Sequence, residues 1–122
     1  MSLLTAPVAT DCESLILMEL GELAGWCRRF AESDCCDTDA FRTIVRRTES
    51  LSGEIPPACG SLGDLVYLVL VLFKTQPTEL DRNGVRAIAG ALASVRSIWL
   101  PPDALDQIRR TLSEAGINLR PF

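Results

Sequence analysis

The sequence predicts an all-α domain, a compact bundle of about five helices around a strongly apolar central one. Three features carry that expectation. Apolar residues recur at spacings of three and four, the pattern of one buried helical face. Cap residues, prolines and glycines punctuate the chain at helix-length intervals. The one stretch that would also suit a strand, Leu65 to Phe73, has no comparable strand elsewhere in the chain to pair with.

The first helix is the clearest. Thr10 and Glu13 form a capping box after an irregular lead-in over residues 1–9, and Ile16, Leu20, Leu23, Cys27 and Phe30 make an inward stripe that Leu15, Leu17, Ala24 and Trp26 broaden. Polar residues from Glu32 to Asp39 interrupt the pattern. Asp37 or Thr38 caps a second helix to about Leu51, with Phe41, Ile44, Val45 and Thr48 inward and Gly53 as terminator. Pro56 and Pro57 stiffen the next connection.

Ser61 and Asp64 repeat the cap-and-acid signature ahead of the apolar run, which we read as a helix surrounded by the others. A fourth helix opens at Pro77 and Thr78, with Asp81 in its first turn, and runs to about Leu100. Gly84, Gly90 and several alanines on it permit close approach of a neighbour. A fifth begins at about Asp103 and ends in a Schellman motif, with Leu112 at C3, Gly116 at C′ and Ile117 at C″. Residues 118–122 form a tail. The chain of 122 residues is thus expected to be a single domain, since its length allows one core and is short for two.

Composition narrows function mainly by exclusion. The net charge of −4 offers no concentrated positive field, so nucleic acid is a poor default partner. The longest apolar run, nine residues, is too short to cross a bilayer as a helix, and no membrane insertion is expected. A start without a basic, apolar leader makes a cytoplasmic location the simplest expectation. Five irregularly spaced cysteines do not resemble a secreted disulfide framework.

Histidine is absent, which excludes Ser-His-Asp and Cys-His arrangements. The sole lysine, Lys74, is expected to cap a helix C-terminus. No phosphate-loop or dinucleotide fingerprint occurs, so neither an enzyme nor a cofactor is expected. The adjacent thiols Cys35 and Cys36 are weak metal candidates, and Cys27 or Cys59 would have to supply a third sulfur. Their acidic neighbours Asp34 and Asp37 would blunt thiolate reactivity.

A protein partner remains as the leading expectation. Trp26, Phe30, Trp99 and Phe122 are the candidate apolar anchors, and Arg42 and Arg46 the candidate polar contacts. The expected function is therefore a small regulatory or adaptor protein that docks to itself, as a homodimer through the first or fourth helix, or to another protein. A metal- or redox-responsive regulator using the vicinal cysteines, and a weak nucleic-acid binder, are the alternatives.

Overall fold

A computed structural model gives the fold; it describes residues 5–75 and 77–119, with side chains from Cys12 onward. Five helices follow in order: α1 (Thr5–Glu32), α2 (Thr38–Glu54), α3 (Gly60–Thr75), α4 (Arg82–Ser94) and α5 (Pro102–Glu114), with no strand among the described residues. The all-α bundle expected from the sequence is what the chain forms. Buried residues from all five helices belong to one contiguous core. None of the helices is long and apolar enough to cross a membrane.

The expected α1 stripe is buried from Ile16 to Phe30, with Ala24 as expected and Ala31 beside it, but Leu15, expected to broaden it, is 55% exposed because it lies beyond the edge of the buried face. This face makes the most extensive seam of the bundle, against α4, where Val85, Ile88, Ala89 and Leu92 are buried in turn. The chain is already helical at Thr5, which corrects the irregular lead-in expected over residues 1–9 as far as residues 5–9 and places Thr10 inside the helix, residues 1–4 lying outside the described ones.

The apolar run is helical. Leu65, Val66, Leu68, Val69, Leu72 and Phe73 are all essentially inaccessible on α3, leaving a narrow outer line at Asp64, Tyr67 and Lys74. The helix packs chiefly on α2 and more lightly on α5, whereas α1 carries the broadest interhelical contact. Phe30, Phe41 and Phe73, one ring from each of α1, α2 and α3, form a triangle with centroids 5.7, 5.8 and 6.1 Å apart. Tilted rings at these separations place positive edges toward negative faces, which adds attraction beyond the burial itself.

A proline, not the glycine, sets the end of α2. Gly53 lies inside α2, which continues to Glu54, because a glycine weakens a helix without stopping it, while Pro56 forces Ile55 into extended backbone. Asp81 is itself the N-cap of α4, accepting from the Gly84 N–H at 2.8 Å, so the helix begins after Pro77 and Thr78 and not at them. It also ends at Ser94, short of the expected Leu100. The Ser94 hydroxyl donates to the Ala91 carbonyl at 2.7 Å, and Ser97 Oγ accepts from the Trp99 N–H at 3.1 Å, so serine side chains compete with the helical ladder. Val95 and Ile98 bury their side chains and fix the resulting connection.

The α5 ending matches expectation. The Ile117 N–H donates to the Leu112 carbonyl at 3.1 Å and the Gly116 N–H to that of Ser113 at 3.0 Å, with Gly116 at φ +93°. Ile117 then packs on Gly84, where an added Cβ would lie 3.2 Å from its side chain. The close approach that the sequence assigned to a neighbouring helix at Gly84 is made by this post-helical residue. At Gly90 nothing approaches within 4 Å.

Ion pairs clasp the surface. Arg47 of α2 reaches Glu22 of α1 at 2.8 Å and Glu19 at 3.7 Å, and Lys74 of α3 reaches Glu49 of α2 at 2.6 Å. Lys74 stands in the last turn of α3, the C-terminal place expected for it, and also ties α3 to α2 at an exposed position. Asp37 caps α2 by accepting from the Ala40 N–H at 3.0 Å and also pairs with Arg29 at 3.2 Å. The Ala40 hydrogen bond, more than the Arg29 charge, holds the Asp37 carboxyl below its ordinary pKa. The stabilisation is therefore fully present above the ordinary carboxyl pKa and disappears as pH falls through the lower folded-state value. Asp37→Asn, which keeps an acceptor at the cap, is expected to flatten this part of the acid unfolding curve; thermal melts across an acid series check it.

Candidate protein-binding surface

α4 and α5 are joined by the proline-containing connection and lie side by side with light mutual contact. The facing side of α4 carries Ala87, Gly90, Ala91 and Ser94, which are too small to reach across. On α5 the matching positions are Ala104, Gln107, Ile108 and Thr111. Both sets run at i, i+3, i+4 and i+7, one helical face over about 10 Å of axis. Leu100 closes one end, leaving an open, mostly apolar groove of about 420 Å³.

Small residues on two parallel rows allow a third helix to approach to the ordinary interaxial distance of roughly 8–10 Å. Ile108 and Leu100 are only partly buried and pack against the main core from the groove's wall. The groove is therefore continuous with the core while remaining open to solvent.

The residues singled out from the sequence are scattered. Phe30 is 5% exposed within the phenylalanine triangle, a core position that follows from its place on the inward stripe. Trp26 is half-buried at the margin of α1, with the Arg29 guanidinium 5.2 Å from its ring centroid. It walls a shallow hollow of about 290 Å³ with Glu22, Gly25, Arg29 and Arg47. Trp99 is 60% exposed, but on the connection before α5, beside Cys59 and Gly60. Arg42 and Arg46 lie one turn apart on the exposed side of α2 and, among the described residues, join no ion pair. Phe122 lies outside the described residues. Trp26 and Trp99 line separate hollows.

The vicinal cysteines close α1. The Cys35 N–H donates to the Phe30 carbonyl at 2.9 Å and the Asp34 N–H to that of Ala31 at 3.0 Å, a Schellman pattern with Asp34 at C′. Asp34 and Cys35 both take positive φ, 58° and 59°, at a cost of order 1 kcal/mol each. Arg82 Nε of α4 adds a 3.2 Å hydrogen bond to the Ala31 carbonyl. Burial raises the Cys35 pKa, and the Asp34 and Asp81 carboxylates raise it further, so the thiol is held in its less reactive form. Burial likewise pushes Cys27 up to about 12.

Among the described residues no three Cys, Asp or Glu side chains converge in a way that could hold a metal ion, so neither Cys27 nor Cys59 supplies the third sulfur. Cys12 and Cys36 are exposed, whereas Cys27 and Cys59 are buried. An aromatic disulfide reagent at mildly alkaline pH is accordingly expected to modify Cys12 and Cys36 first and Cys35 slowly. Cys27 and Cys59 should react only after denaturation, as peptide mapping of the products would read.

No protein-family model matches this chain, and neither curated proteins nor solved structures give a significant match. The groove was not singled out from the sequence. Its signal was present in the small residues of α4, but whether a neighbour fills the space over them depends on how α5 sits.

Proposed function

We propose that the protein is a small regulatory or adaptor protein that acts by binding another protein, taking an apolar helix face of its partner between α4 and α5. The observation that carries this reading is the open groove lined by Ala87, Gly90, Ala91, Ala104 and Ile108. An amphipathic helix offering one large apolar side chain per turn complements such a surface, with backbone approach on the alanine and glycine side. The groove supplies apolar contact without a nucleophile and base. The absence of histidine and the raised Cys27 and Cys35 pKa values further favour binding over chemistry.

A photo-crosslinking residue at Gln107, inside the groove, or at Asp64, on the outer line of α3, tests this in cells of the native host. An adduct is expected from Gln107 and not from Asp64. Gly90→Glu, which adds a side chain where nothing lies within 4 Å, is expected to abolish it without unfolding the protein. Adducts of equal yield from both positions, or a Gln107 adduct undiminished by Gly90→Glu, would contradict the proposal.

A further inference from the structure

The open mouth of the α4–α5 groove is basic. Ile117, just past α5, packs on Gly84 near the start of α4, so the two helices run antiparallel and the last turns of α5 face the first turns of α4. Gly90 and Gln107 are exposed and form the outer lines of the two walls. Arg86 lies one turn from Gly90 and Arg110 one turn from Gln107, both toward the mouth away from Leu100. The two arginines therefore stand on opposite rims at the same end of the groove.

Both are exposed, and among the described residues neither joins an ion pair, although Asp106 and Glu114 stand one turn to either side of Arg110. Arg82, one turn before Arg86, is turned toward α1, where its Nε donates to the Ala31 carbonyl at 3.2 Å. At the end closed by Leu100, Asp103 of α5 and Arg96 of the connection carry opposite charges. On a chain of net charge −4, the open mouth is thus a local reversal of sign beside apolar surface.

A guanidinium presents a planar fork that matches a carboxylate, and forks on both rims can take carboxylates from both flanks of a helix lying between them. On the reading that the groove seats a partner helix, we infer that this helix is acidic, its apolar stripe bordered by carboxylates at the end that lies over Arg86 and Arg110. Charge then fixes which way round the partner lies, since apolar contact along the alanine and glycine wall would accept either direction. A basic amphipathic helix, which the net charge of the chain would attract from a distance, is rejected at this mouth.

Two designed helical peptides of about five turns, each with one leucine stripe, test the inference. One carries a glutamate on either side of the stripe in a terminal turn, and the other carries lysines there. Fluorescence anisotropy is expected to show the glutamate peptide binding about 10-fold more tightly than the lysine peptide, against the net charge of the chain, with the gap closing at high salt. Arg86→Glu combined with Arg110→Glu is expected to reverse the preference, and Gly90→Glu to remove binding of both peptides. Both arginines are exposed and unpaired, so circular dichroism of the double variant should match the wild type. Equal binding of the two peptides, a lysine preference, or a glutamate preference that survives the double variant would overturn the inference and leave the groove standing. Binding of neither peptide, or binding indifferent to Gly90→Glu, would overturn the groove as a helix site and the acidic partner with it.

Discussion

Phe73→Ala is expected to lower the unfolding free energy by about 3–5 kcal/mol. The ring is fully buried, and it contacts Phe30 of α1 and Phe41 of α2 at once. Truncation therefore removes burial energy, leaves a cavity at a three-helix junction and deletes two aromatic pairs. The junction cannot collapse readily, because each wall belongs to a different helix whose other residues are held elsewhere in the core. Small domains of this size are typically stable by only about 5–15 kcal/mol, so the variant should melt far below the wild type. Chemical denaturation followed by far-ultraviolet circular dichroism gives the value, and a loss under about 1 kcal/mol would mean that the three rings do not pack as described.

The second large effect separates neighbouring positions on α3. Val69→Asp should cost more than about 4 kcal/mol or abolish folding, because a carboxylate at a fully inaccessible site has neither water nor a counter-charge. Tyr67→Asp, two residues away at a site 59% exposed, should change stability by no more than about 0.5 kcal/mol. Positions 67 and 69 would share one face of a strand but lie on opposite sides of a helix. Equal effects at both would return Leu65 to Phe73 to the strand reading that its β-branched composition also permits.

These two experiments concern the part of the fold that periodicity made legible. The α1 stripe from Ile16 to Phe30 and the Leu112–Gly116–Ile117 ending follow from local spacing and turn chemistry, and both appear where the pattern places them. Helix ends were less legible. Gly53 and Leu100 are plausible stops by residue type, yet Pro56 and the hydroxyls of Ser94 and Ser97 decide where backbone hydrogen bonding actually ceases.

Surface anchors were the least legible of all. Phe30 and Trp99 are equally apolar in sequence, and only the route of the chain after Ser94 leaves Trp99 outside while the inward stripe of α1 hides Phe30. The α4–α5 groove is harder still, because it arises from atoms that are missing. Ala87, Gly90 and Ala91 read equally well as a tightly packed seam or as the floor of an open groove, and the light contact between α4 and α5 leaves the groove open. A sequence pattern reports which faces are small or apolar; it does not report whether another element of the same chain covers them.

The account rests on that groove being where a partner helix sits. The most direct measurement is a methyl-resolved nuclear magnetic resonance titration of the labelled protein with the helical segment recovered by crosslinking. Shifts concentrated at Ala87, Ala91, Ala104 and Ile108, with Val66 and Val69 of α3 unmoved, are the predicted result. Binding that perturbs other surfaces and leaves those four methyl sites unchanged would contradict it.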